Sequence, residues 1–239
     1  MLGGYLPSIL DGAWVTLKIA FGSLLVATVL GLIGAAAKLA PNKFIAWWGE
    51  AYSTLIRGVP DLVLMLLIFF GGQILINDLI TRFNDYMAAR GSEVALDFVD
   101  VDPFIAGILT IGFIFGAYLS ETFRGAIMAI PKGQSEAGFA FGMGRLQVFF
   151  RIVVPQMIRF AIPSFSNNWL VLLKTTALVS VIGLQDMMKR ADAAGKATQE
   201  PFTFFLFVAG MYLLFTSVSI LLIRWVEKRY SVGVKAGEF

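Results

Sequence analysis

The chain contains no cysteine and no histidine among its 239 residues. Disulfides, zinc clusters built on thiolate or imidazole, Ser-His-Asp chemistry and histidine proton relays are therefore excluded. Charge is also scarce: 15% of residues are Asp, Glu, Lys or Arg, against 58% hydrophobic, with 22 phenylalanines. That leaves too little polar surface to clothe a soluble globule of this length. There is no Gly-x-x-x-x-Gly-Lys-Ser/Thr phosphate loop, so the chain holds no nucleotide-hydrolysing motif of its own. Without an internal repeat, a low-complexity linker or a shift in composition, residues 1–239 are expected to form one membrane domain.

What is present is a set of nearly charge-free runs: Ile19–Ala37, Leu62–Asn77, Pro103–Ser120, Phe160–Leu173 and Pro201–Ile223. A helix rising 1.5 Å per residue needs about 20 apolar residues to cross roughly 30 Å of hydrocarbon, so the first, third and fifth suffice almost unaided. The second and fourth need their flanks. The fold class is thus all-α, with five transmembrane helices. Residues 1–17 carry only Asp11 and precede an apolar run longer than a signal core, so the first segment is expected to remain in place.

Five spans sort the cations by side. Lys38, Lys43, Arg57, Arg124, Lys132, Arg145, Arg151, Arg159, Arg224, Lys228, Arg229 and Lys235 fall on one side and outnumber Lys18, Arg82, Arg90, Lys189, Arg190 and Lys196 on the other. The positive-inside rule then puts the N-terminus outside and the C-terminus in the cytoplasm. Residues 78–102, polar and net negative, read as an external loop, and residues 131–155 as a cytoplasmic one. Gly112 and Gly116, with Gly31, Gly34 and Ala35–Ala37, suit close helix packing in lipid rather than ligand contact. Trp47, Trp48, Tyr52, Trp225 and Tyr230 fit the headgroup region.

The most specific stretch is Glu136 to Pro155, EAGFAFGMGRLQVFFRIVVP. Ser135 as N-cap and Glu136 at the positive helix end would start a short helix to about Phe141. Gly142 and Gly144 would end it, leaving Phe139 and Phe141 as an apolar face that calls for a groove on a partner. A helix lying flat on lipid is the plainer alternative. The stretch resembles the EAA loop of ATP-binding cassette (ABC) importer permeases. Glu136, Ala137, Gly142, Ile152 and Pro155 stand at that pattern's spacings, while Gly138 replaces its third small residue and Val154 its leucine.

The likeness extends along the chain. Residues 57–60 (RGVP), 117–125 (AYLSETFRG), 132–134 (KGQ) and 174–180 (KTTALVS) resemble the polar amino acid branch. Residues 57–69 and 229–235 are similar to the Q-type subunit of histidine and lysine/arginine/ornithine uptake systems; opine permeases are close relatives. The resemblance implies a type I importer fold in a bacterial inner membrane. It implies as partners two ATPase subunits, a second, M-like permease and a periplasmic substrate-binding protein, with the lipid bilayer and no nucleic acid. ATP and Mg would sit on the ATPase, with no cofactor in this chain. The ATPase-coupling residues implied are Glu136, Ala137, Gly138, Phe139, Phe141 and Gly142. A self-sufficient secondary transporter would need its own coupling-ion site and usually inverted repeats. An intramembrane enzyme would need a nucleophile and base for which no motif stands here.

Charges within spans are costly and mark candidates for the substrate path. Asp61 follows Pro60, which loosens the helix and could free carbonyls to line a cavity, and its carboxylate suits a cationic amino acid. It could equally pair with Arg57 at i,i+4. Glu121 is expected to pair with Arg124 at i,i+3. Lys174, ahead of Thr175 and Thr176, marks either a broken-helix gate or a side chain snorkelling to the interface. Asn168, with Asn167, is expected to face a partner helix or a water path.

Overall fold

The computed structural model describes residues 2–92 and 94–230, so Lys235 and the 231–235 part of the Q-like tail lie outside the described residues. Nearly everything described is helical. The order is α1 (Leu2–Lys38), α2 (Lys43–Arg57), α3 (Asp61–Ala89), α4 (Pro103–Met128), α5 (Lys132–Ala140), α6 (Arg145–Val148), a π-helical turn (Phe149–Val153), α7 (Val154–Thr175), a 3-10 turn (Thr176–Ser180), α8 (Met187–Thr198) and α9 (Pro201–Tyr230). Five segments are long and apolar enough to cross a membrane: residues 4–38, 61–89, 103–128, 145–180 and 201–229.

The core is the close parallel packing of α1 on α4. Gly22 lies against Ile108, Gly31 against Leu119, Gly34 against Ser120 and Gly116 against Leu30, an advancing register that fixes both helices in the same direction. Parallel first and third crossings require the second to return between them, and α3 does. Without a hydrophobic drive between helices in lipid, small residues let the backbones approach and van der Waals packing holds them. The expectation for Gly31, Gly34, Gly112 and Gly116 holds. A Cβ on Gly31 would stand 2.6 Å from Leu119 Cβ and 3.1 Å from its carbonyl carbon, neither of which can swing aside. Gly31→Leu is therefore expected to lower stability by about 1–3 kcal/mol or more. Gly125→Leu, facing open space on the same α4, should leave the thermal midpoint in detergent almost unchanged.

Around this pair, α7 runs antiparallel to α1, with Phe21 stacked on Trp169 at 5.1 Å between ring centres. A second cluster, Ile9, Ala13, Met187, Ala191, Phe204 and Val208, ties the start of α1 to α8 and α9. Asp186, wholly buried, caps α8 by accepting from the Lys189 amide at 2.9 Å. Burial pushes its carboxyl up to about 6.

Two boundaries differ from the sequence reading. The second apolar run is not extended at its N-terminal flank by one continuous helix: α2 ends at Arg57, residues 58–60 interrupt it and Asp61 opens α3. Proline lacks the amide that would continue the helix and restricts the residue before it, so a break at Gly58-Val59-Pro60 follows from chain chemistry. Nor is 78–102 a loop throughout, since α3 continues to Ala89. The return arm, residues 94–101, runs extended along α3, held by amide side chains. Asn84 exchanges two hydrogen bonds with the Leu96 backbone (2.8 and 2.9 Å) and Asn77 two with Val99 (2.9 and 3.1 Å). Gln73 donates to Val99 O at 2.7 Å and accepts from Val101 N at 2.9 Å.

Candidate functional site

Lys38, the last residue of α1, carries a side chain only 1% exposed among α1, α2 and α4. It pairs with Glu50 of α2 at 3.0 Å and with Glu121 of α4. Glu121 also accepts from Arg124 Nε at 3.0 Å, from the Ser53 hydroxyl at 3.3 Å, and lies 3.7 Å from Arg57. The expected Glu121–Arg124 pair is present, but as one edge of a larger network. Gly49 makes room for it, because a Cβ there would stand 3.0 Å from Lys38 Cγ. A few residues further along α2, the Tyr52 hydroxyl donates to Phe113 O at 2.6 Å, in the space that the bare Gly116 leaves. Tyr52 thus points inward and is no headgroup anchor; Trp47, Trp48 and Trp225 are exposed as expected.

These bonds hold α2 against the core and so set where the break at residues 58–60 falls. Arg57, on one side of it, lies with its guanidinium 5.5 Å from the Tyr118 ring centre and turns toward Glu121. Asp61, on the other side, neighbours Tyr118 and has no ion-pair partner among the described residues. The i,i+4 pair between Arg57 and Asp61 does not form, because that spacing brings side chains together only on an unbroken helix. Tyr118 stands one turn before Glu121 on α4, so this carboxylate lies near the network that holds α2. Neighbouring α7 supplies Asn168, whose amide donates to Thr122 Oγ1 and to Ser164 O, both at 3.0 Å. It faces a partner helix, as expected for an amide among lipid-spanning helices.

Lys174 is exposed in the last turn of α7, and the chain tightens from α to 3-10 geometry immediately after it. The Thr175 and Thr176 hydroxyls donate to Val171 O (3.1 Å) and Leu173 O (2.7 Å), easing that change. Two residues after Lys174, the Thr176 hydroxyl meets that of Tyr212 on α9 at 3.3 Å.

The elbow between α4 and α7 is built differently from its expected start. Helix α5 begins at Lys132 with Pro131 as its N-cap, so Ser135 caps nothing and Glu136 sits a turn inside, exposed, away from the amino end. The stop is as expected: Gly142 takes a φ of +75°, a region that costs other residues roughly 1–2 kcal/mol. Phe139 and Ala137 are exposed, and Phe141 is 87% exposed, with Leu146 and Phe150 continuing the apolar surface. Gly138 is the buried member. A Cβ there would meet Ile152 Cδ1 at 2.6 Å and Val148 Cγ2 at 3.1 Å, so α5 rests directly on the segment that enters α7. The π-turn precedes Pro155, whose missing amide cannot satisfy the carbonyl a turn earlier.

Lys38, Glu50, Ser53 and Tyr118 were absent from the sequence candidates. The sequence places Lys38 in a connection as one more interfacial cation. Only its counter-ion on α4, 83 residues away, reveals its burial.

Comparison with known proteins agrees with this architecture. Residues 27–232 match the family described as binding-protein-dependent transport system inner membrane component. The chain is 50% identical over 238 residues, all of both chains, to the histidine/lysine/arginine/ornithine transport system permease protein HisQ of Escherichia coli. It is 39% identical over 222 residues, 93% of this chain and 90% of the other, to the octopine transport system permease protein OccQ of Rhizobium radiobacter. Among solved structures, the crystal structure of an amino acid ABC transporter with histidines superposes with a TM-score of 0.77 at 28% identity. The match covers 95% of this chain and 96% of that one.

Proposed function

The chain belongs to the family of binding-protein-dependent transport system inner membrane components, and from that membership we propose that it is an ABC importer permease subunit for cationic amino acids. HisQ, at 50% identity, is named for histidine, lysine, arginine and ornithine, and OccQ for octopine. The observation that carries the cationic reading is the carboxylate of Asp61. It opens α3 at a helix break with no ion-pair partner among the described residues, and such breaks are where transporters hold substrate. A substrate ammonium or guanidinium would complete the pair. Asn168, Tyr118 and Arg57 would border the same path, Arg57 offering a cation to the substrate carboxylate.

The N-terminus lies outside and the C-terminus in the cytoplasm, which puts the α5–α6 elbow, with Phe139 and Phe141, on the side where a nucleotide-driven motor works. Two ATPase subunits carrying ATP and Mg, an M-like second permease and a periplasmic binding protein complete the machine in the bacterial inner membrane. Transport by this chain alone on an ion gradient would overturn the reading.

The test compares lysine with histidine at pH 8, where the imidazole, with an ordinary pKa of about 6.5, is neutral. In proteoliposomes holding the whole complex, Asp61→Asn should reduce lysine uptake by about 10- to 100-fold, the worth of a charge-assisted hydrogen bond, and histidine uptake far less. Equal loss of both would make Asp61 a structural group.

A further inference from the structure

The return arm at the outer end of α3 is built as a rigid, exposed prong. Gln73, Asn77 and Asn84 lie at i, i+4 and i+11 on α3, nearly one line along the helix surface. Each amide offers a donor and an acceptor, so together they mimic the edge of a β-strand and hold one side of residues 96–101. The apolar runs of α3 and α4 end at Asn77 and begin at Pro103, so the arm beside Asn77–Asn84 stands beyond both, in water. Chain ordering there costs free energy that burial of the arm does not return. The opposite backbone edge, at Asp97, Phe98 and Asp100, has no partner among the described residues. Phe98 is 71% exposed on it, between Asp97 and Asp100.

We infer that this arm is the docking element for the substrate-binding protein, with Phe98 as the anchor and Asp97 and Asp100 as flanking charges that select a basic rim around an apolar notch. The inference rests on the permease reading, because it needs a binding protein on that side of the membrane. Three features favour that occupant over lipid or a second membrane helix. The prong lies past the apolar runs; its flanks are acidic, in a connection where Asp78, Asp85, Asp97, Asp100 and Asp102 outnumber Arg82 and Arg90. Its free edge is pre-ordered, which removes the ordering cost that weakens binding through loops. An open strand edge with one large side chain is also the form in which β-strand addition recognises a partner.

The experiment uses the complete complex in nanodiscs, titrated with the uptake system's own binding protein loaded with lysine, and reads stimulated ATP hydrolysis. Phe98→Ser should raise the binding-protein concentration for half-maximal stimulation by about 10- to 30-fold, the usual loss for an interface anchor. Asp97→Lys with Asp100→Lys should raise it further at low salt, with the unstimulated rate unchanged in both. A photo-crosslinking phenylalanine analogue at position 98 should capture the binding protein. Unchanged half-maximal concentrations, or crosslinks only to lipid or to the second permease, overturn the inference while leaving the permease reading intact. Absence of any stimulation in the unmodified complex overturns both.

Discussion

Replacing Phe139 and Phe141 together by serine is expected to abolish ATP-driven uptake while the five spans stay folded. Both rings stand in solvent on the elbow, Phe141 almost wholly so, and neither supports the core. If they fill a groove on an ATPase subunit, each is an anchor worth about 2 kcal/mol, and losing both weakens docking by roughly 100- to 1,000-fold. The effect should reach transport because the elbow is stiff. Gly142 turns the chain in the left-handed region, the Met143 amide bonds back to Gly138 O at 3.1 Å, and Gly138 lies bare against Ile152. A push on α5 therefore passes through Ile152 and the π-turn into α7, whose Asn168 is bonded to Thr122 of α4. Co-purification of the ATPase with the double variant, and uptake of lysine in proteoliposomes, measure the two halves of this chain of cause. An ATPase that stays bound, with uptake unchanged, removes the elbow from energy transfer. A Gly138→Ala change should be mild, since the flexible end of Ile152 can move aside; Gly138→Leu should uncouple as the aromatic pair does.

The elements that were legible in the sequence are those fixed by local chemistry or by the solvent. Five crossings follow from run length against bilayer thickness, and the small residues of α1 and α4 announced close packing before their register was known. Gly142 and the two phenylalanines gave the elbow its stop and its exposed face. The start differs because Ser135 and Glu136 form a plausible cap signal, yet Pro131 lies four residues earlier with nothing to prevent a helix from Lys132. Residues 78–89 looked like loop because they are polar. Polarity on a helix that leaves the bilayer is ordinary, and the amides needed at Asn77 and Asn84 to hold the returning arm are part of it. The least legible feature was the burial of Lys38. Its partners come from α2 and α4, and no local pattern distinguishes a cation that ends a span in the headgroups from one that ends it between three helices.

That buried cation yields the second large effect. Glu121→Gln is expected to destabilise the protein by about 3–5 kcal/mol, because the Lys38 ammonium then stays buried with only the solvent-exposed Glu50 as counter-ion. The reverse change, Lys38→Met, should cost much less, since Glu121 keeps Arg124 at 3.0 Å and Arg57 at 3.7 Å and retains partial access to water. Lys38→Met combined with Glu121→Gln removes both charges together and should recover most of the loss, so the double variant falls well short of the sum of the single ones. Thermal unfolding in detergent of the four proteins closes the cycle. Similar losses for the two single changes, simply adding in the double, would mean that the network is solvated and that α2 is held by packing alone. The same cycle bears on transport. If the network sets the position of the break at residues 58–60, Glu121→Gln should displace Asp61 and lower lysine uptake even at temperatures where the protein remains folded. Lys38→Met, which leaves Arg57 drawn to Glu121, should not.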